Sequence, residues 1–191
     1  MPPRIGLFGG SFDPPHLGHL IAAQAAVEQL QLDLVLWIPT GSSYHKAGTS
    51  STDQRVRMTE LAIRGNDSFL LSMVDAKRSG PTYSIDTVSD IRAAHPDSEL
   101  VFLVGEDAWA DVPNWHRSEE LRELVTFAVV SRGGSTVPSQ KASLRWVEIP
   151  LIGISSSECR QRVRNGLSLQ YWVAETVRDY SAEHDLYTEK V

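Results

Sequence analysis

Cysteine is nearly absent: Cys159 stands alone in 191 residues. One thiol excludes an internal disulfide and fits a reducing compartment. A surplus of positive charge is also missing. Lys and Arg number 18 against 24 Asp and Glu, for a formal net charge of −6 and a pI of about 5.5. A general nucleic-acid binder needs a positive surface, so this chain is a poor candidate, and an anionic substrate has to be met by local groups. No apolar run approaches the roughly 18 residues of a membrane-spanning helix. The N-terminal stretch reads as a strand rather than a signal peptide. The expectation is a cytoplasmic chain with no nucleic-acid and no membrane partner. Repeats, low-complexity tracts and linkers long enough to divide domains are missing too, as are the GxGxxG and Walker patterns. No carboxylates cluster with metal-ligand spacing, so no protein metal site is expected. The remainder is 41% hydrophobic and 22% charged, which suits a single domain over 1–191 with a small C-terminal helical part. The sequence carries no signal of oligomeric state.

The chain is organised around Arg4 to Leu20, RIGLFGGSFDPPHLGHL. Ile5, Leu7 and Phe8 read as a strand buried on both faces. Gly9 and Gly10 end it and allow close approach of a ligand. Pro14 and Pro15 stiffen the turn. His16-Leu17-Gly18-His19 then opens a helix, with both histidines on one side of its first turn at (i, i+3). Strand, glycine turn and helix N-terminus form a phosphate-binding arrangement, because the first helical N–H groups lack partners and the dipole is positive there. Two imidazoles beside them suit a polyphosphate with developing charge. Side chains at such a helix start are expected to pack loosely.

Strands and helices alternate along the rest of the chain. Strands are expected at 34–39, 69–74, 100–104, 126–130 and 145–150, and helices at 53–64, 83–94, 118–124 and 170–183. The fold class is therefore α/β, a Rossmann-like doubly wound and mostly parallel sheet. Loops at the carboxyl ends of its strands face the ligand edge. They carry His45-Lys46, Asp75 to Thr82, Gly105-Glu106-Asp107, and the serines of Gly153 to Arg160. Taken singly, Thr82, Ser84, Asp107, Ser155 and Ser156 are open to plain helix capping, and Trp109 and Trp115 to core packing.

GGSFDPPHLGH resembles the (H/T)xGH signature of nucleotidyltransferases that move AMP or CMP from a nucleoside triphosphate. GPTYSIDTV resembles the GPSYTxDTL stretch of one branch, the nicotinate-nucleotide adenylyltransferases. The HK pair, GED with PNW, and ISSSECR match further motifs in the same order, so the resemblance spans nearly the whole chain. Three departures stand out: Ser43-Tyr44 in place of two prolines before the basic pair, Gly133 in place of a proline, and Cys159 in place of an aliphatic residue. Cys159 reads as a small apolar filler.

The resemblance implies transfer of AMP from ATP to nicotinate mononucleotide, a step of NAD synthesis. It implies catalytic roles for His16 and His19. It puts ATP on Gly9, Gly10, Ser11, Phe12, Lys46, Gly105, Asp107, Ile154, Ser155, Ser156 and Arg160, with Asp107 on the ribose. The acceptor falls to Thr82, Tyr83 and Ser84 for its carboxylate and to Trp115 for its ring. Mg2+ is implied by the triphosphate, held mainly by phosphates and water. Rival readings are a nicotinamide-mononucleotide enzyme, a pantetheine-phosphate or cytidylyl transferase, and a non-catalytic nucleotide sensor. GPTYSIDT and PNW argue against the second, and retention of both histidines against the third.

Overall fold

The computed structural model describes residues 2–41, 50–132 and 144–188. Among them, six parallel strands form one sheet: β1 (Arg4–Gly10), β2 (Leu34–Pro39), β3 (Phe69–Leu71), β4 (Glu99–Gly105), β5 (Thr126–Arg132) and β6 (Leu144–Ile149). Their spatial order is β3-β2-β1-β4-β5-β6. The order reverses beside β1, so a crevice opens where the carboxyl ends of β1 and β4 diverge.

Alternation along the strands builds two cores. Ile5, Leu7, Leu36, Ile38, Leu100 and Phe102 face one side with Ile85, Val88 and Ile91 of α3 (Ser84–Ala94) and Leu121 of α5 (Ser118–Leu124). Phe8, Val35, Trp37, Val101 and Leu103 face the other side, against Ala22, Ala23 and Ala26 of α1 (Leu17–Leu30). The small side chains on α1 let that helix lie close to the sheet. A third cluster joins Met58 and Leu61 of α2 (Thr52–Ile63) to Cys159 of α6 (Ser156–Arg164) and to Val177 of α7 (Glu175–Glu183).

Several boundaries differ from expectation. The third strand stops at Leu71, the last residue in register with β2, one residue before the Ser72 N–H makes a final bond to the Trp37 carbonyl at 2.8 Å. The closing helix starts at Glu175 rather than Gln170, because Tyr171 adopts a left-handed φ of 64° that a helix does not tolerate. A short helix not expected from the sequence, α4 (Glu106–Asp111), follows β4 directly.

Candidate active site

The first turn is shaped by a residue in an unusual conformation. Phe12 takes φ 49° and is fully buried, its ring edge-on to Phe8 at 5.6 Å and 5.1 Å from Trp37. Left-handed backbone costs a bulky residue about 1–2 kcal/mol, which this aromatic packing offsets. The chain then delivers His16 in extended conformation to the N-cap of α1. The His16 backbone N–H donates to His19 Nδ1 at 3.2 Å, and the two rings stack with centroids 3.7 Å apart. An accepting Nδ1 puts the proton of neutral His19 on Nε2, a phosphate donor. Phe12 flanks His19 edge-on at 5.2 Å. His16 is only 5% exposed. The histidines are therefore firmly held, and the expectation of loose packing is corrected. Gly18 makes the stack possible: a Cβ there would lie 3.0 Å from His16 Nδ1.

Two cavities meet at the sheet's switch point. One, of about 490 Å³, is lined by His16, His19, Gly9, Gly105, Asp107 and Ile154 among others. The other, of about 290 Å³, is lined by Gly9, Gly10, Thr82, Ser84, Asp75, Thr87, Phe102 and Trp115 among others. They share Phe8, Gly9, Gly105 and Ala108, so they are halves of one cleft. No atom lies within 4 Å of where a Cβ on Gly9 or Gly105 would be, which leaves the shared floor open. A wider groove of about 610 Å³ between α1 and the turn after α2 lies away from both histidines.

Other expected ligand residues stand just outside the cleft. The Ser155 hydroxyl accepts from the Glu158 N–H at 3.2 Å and caps α6. Ser156 donates to the Pro14 carbonyl at 2.9 Å, and Arg160 Nη1 to the Asp13 carbonyl at 2.6 Å. The start of α6 is thus bolted to the proline turn. Phe12 is core, and the carbonyl of Ser11 accepts from Arg55 Nη1 at 2.9 Å. Tyr83 is the N-cap of α3 and makes no side-chain cap; its half-exposed ring lies 4.4 Å from that of His116. α4 likewise has no side-chain cap, so Asp107 in its first turn is not a capping residue. Lys46, with His45, Ser43-Tyr44 and Gly133, lies outside the described residues. Among the described residues, no three His, Cys, Asp or Glu side chains could hold a metal together. No described helix is long and apolar enough to cross a membrane.

A model of the cytidylyltransferase-like family matches residues 7–162. A probable nicotinate-nucleotide adenylyltransferase of Geobacillus thermodenitrificans is 43% identical over 186 residues, covering 96% of this chain and 86% of the relative. One of the same name from Thermus thermophilus is also 43% identical over 186 residues, with 96% and 99% covered. The chain belongs to the nicotinate-nucleotide adenylyltransferase branch of the cytidylyltransferase-like family. In fold it is similar to a Plasmodium falciparum nicotinic acid mononucleotide adenylyltransferase solved in complex with APC, at TM-score 0.80 and 20% identity over 97% of each chain.

Within this family site, the supporting residues were not singled out by sequence reasoning. Arg55 is buried and spends its guanidinium on carbonyls: Ser11 at 2.9 Å, Thr40 at 2.7 Å and Gly41 at 3.0 Å. It ties the glycine turn to the base of the loop after β2. Burial holds its pKa below the usual arginine value, against the opposing pull of Asp13. A signal was present: Arg55 shares an (i, i+3, i+4) stripe with Met58 and Thr59, the inward face of α2. Asp13, 1% exposed, accepts from Tyr187 Oη at 2.7 Å and from the Ser50 N–H at 3.3 Å. Asp75 accepts from the Thr87 hydroxyl, and burial raises its carboxyl above the usual range. Its backbone carbonyl would be 2.5 Å from a Cβ on Gly41, so only glycine fits there. Cys159 is fully buried, and burial pushes its thiol up to about 11. An un-ionised buried thiol is inert, in keeping with the filler reading.

Proposed function

We propose that this protein transfers AMP from ATP to nicotinate mononucleotide, giving nicotinate adenine dinucleotide and pyrophosphate, a step of NAD synthesis. The observation that carries this reading is the divided cleft: stacked histidines line one half, and Thr82, Ser84 and Trp115 the other. The family supports the same chemistry.

The acceptor's phosphate oxygen is anionic near neutral pH, so attack on the α-phosphorus of ATP needs no base. Catalysis reduces to positioning and charge stabilisation. His16 takes the α-phosphate. His19, Lys46, Arg160 and the N-terminus of α6 take the departing pyrophosphate. Because the Ser155 and Ser156 hydroxyls already bond to Glu158 and Pro14, their part falls to backbone N–H groups of the first turn. Asp107 takes the ribose hydroxyls. Thr82, Tyr83 and Ser84 present a helix N-terminus to the nicotinate carboxylate, and Trp115 an aromatic face to the ring.

Members of this family use a divalent cation in general. Here Mg2+ fits best as part of the incoming nucleotide. The cleft offers imidazoles, Glu106 and Asp107, and among the described residues no group of three could hold a metal, so the ion would keep phosphate oxygens and water as its ligands. When bound, it neutralises triphosphate charge. The reaction takes place in the cytoplasm on this reading, without a nucleic-acid or membrane partner.

The test is to supply ATP and magnesium, offer nicotinate mononucleotide, nicotinamide mononucleotide, phosphopantetheine and buffer in turn, and measure pyrophosphate. Release with the first acceptor alone supports the reading. Equal release with the amide makes the protein a dual-specificity enzyme, and none with any acceptor removes the catalytic reading.

A further inference from the structure

Tyr187 is joined to the nucleotide turn across nearly the whole chain. Its hydroxyl donates to Asp13 Oδ1 at 2.7 Å and accepts from Ser50 Oγ at 3.1 Å, while the Ser50 N–H donates to the same carboxylate at 3.3 Å. The carboxylate is buried, and Arg160 stands beside it: its Nη1 is 3.9 Å from Asp13 Oδ2 and bonds instead to the Asp13 carbonyl at 2.6 Å. Arg160 keeps 17% of its side chain exposed. Asp13 is thus an internal anion within reach of the arginine that the triphosphate also needs.

We propose that Tyr187 is a positioning residue for ATP binding: by satisfying Asp13 it keeps the Arg160 guanidinium from being drawn onto the carboxylate. A buried carboxylate short of hydrogen bonds recruits the nearest cation, and an arginine paired inward has less to offer a phosphate. Burial, and then the Asp13 charge, raises the phenol far above its usual value. Tyr187 therefore remains a donor at any working pH. This inference rests on the reading of Arg160 as a triphosphate ligand.

Five proteins, each with its melting temperature measured, are titrated with ATP and magnesium without acceptor: parent, Tyr187→Phe, Arg160→Ala, the Tyr187→Phe/Arg160→Ala double variant and the Tyr187→Phe/Asp13→Asn double variant. Tyr187→Phe weakens ATP roughly three- to tenfold, the size of one hydrogen-bond difference, and leaves nicotinate mononucleotide affinity unchanged. On the Arg160→Ala background the same substitution has no further effect on ATP. Adding Asp13→Asn to Tyr187→Phe, which removes the competing charge, restores ATP affinity. Unchanged ATP affinity in Tyr187→Phe, an equal loss with and without Arg160, or a folded Asp13→Asn double variant that stays weak overturns the inference. Normal ATP affinity in Arg160→Ala alone shows instead that the phosphate reading of Arg160 has failed, and the inference falls with it.

Discussion

The imidazole of His16 lies flat on that of His19, with 3.7 Å between ring centroids and the His16 backbone N–H fixed on His19 Nδ1. The two rings thus form one unit whose geometry is set before any ligand arrives. Preorganised donors cost no reorganisation during reaction, the condition under which charge stabilisation is largest.

Replacing either histidine by alanine is expected to lower the rate by roughly 10² or more. His16→Ala also costs about 1 kcal/mol of stability, because that ring is buried and stacked. Steady-state rates and urea midpoints measure the two effects separately. Full turnover in a folded His16→Ala protein would sink the mechanism.

Gly18→Ala is a test of the stack itself. The added methyl meets the His16 ring at 3.0 Å and has to push it aside. Alanine is a better helix former by about 1 kcal/mol, so the fold tolerates the change while the rate falls roughly tenfold or more. A variant with parental rate and an unmoved His16 ring in a crystal structure counts against a geometric role for the stack.

Trp115→Ala is expected to weaken nicotinate and nicotinamide mononucleotides alike, since stacking does not read the carboxylate. The preference for the carboxylate form, expected at roughly 10- to 10³-fold from one or two charge-assisted bonds, survives the change. Specificity constants for both acceptors decide it; loss of preference in the variant transfers discrimination from the α3 N-terminus to the tryptophan.

Asp75 makes a pH prediction. Its folded carboxyl titrates above the usual range, chiefly through burial and against the pull of Thr87 and Arg78. The folded chain therefore holds this proton more tightly than the unfolded chain. The resulting stability is full below the ordinary aspartate value of about 3.9 and is lost as pH rises through the folded value. Asp75→Asn keeps an acceptor for Thr87 and removes that loss. Urea midpoints between pH 4 and pH 8 should decline less in the variant than in the parent; matching declines assign the effect elsewhere.

Local patterns were legible where the signal is short-ranged. Glycine after a buried run, proline, and histidines at helical spacing located the turn, and alternation located the parallel sheet. Trp115 was legible through its motif, and Cys159 as filler. Residues that work through partners far along the chain were not. Asp13 was visible only as part of a turn, because Tyr187 and Arg160 meet it after 174 and 147 intervening steps of sequence. Arg55 was legible at most as an inward position of its helix, since nothing local marks three backbone carbonyls as its targets. The serines of α6 were legible as a helix start, but not their attachment to Pro14. Tyr171 broke the expected closing helix by a backbone twist that its composition does not advertise.

The bond between Asp13 and Tyr187 also bears on how the protein is made. The strand and turn that carry the histidines leave the ribosome well before Tyr187, which lies 174 residues after Asp13. Until it emerges, the nascent turn holds a carboxylate that the finished protein buries, and α2 lacks the C-terminal helix it packs against. Contacts of such long sequence separation form late in folding. The nucleotide half of the cleft therefore reaches its final form only after Tyr187 has emerged, and a nascent chain stalled before Tyr187 holds an unfinished site.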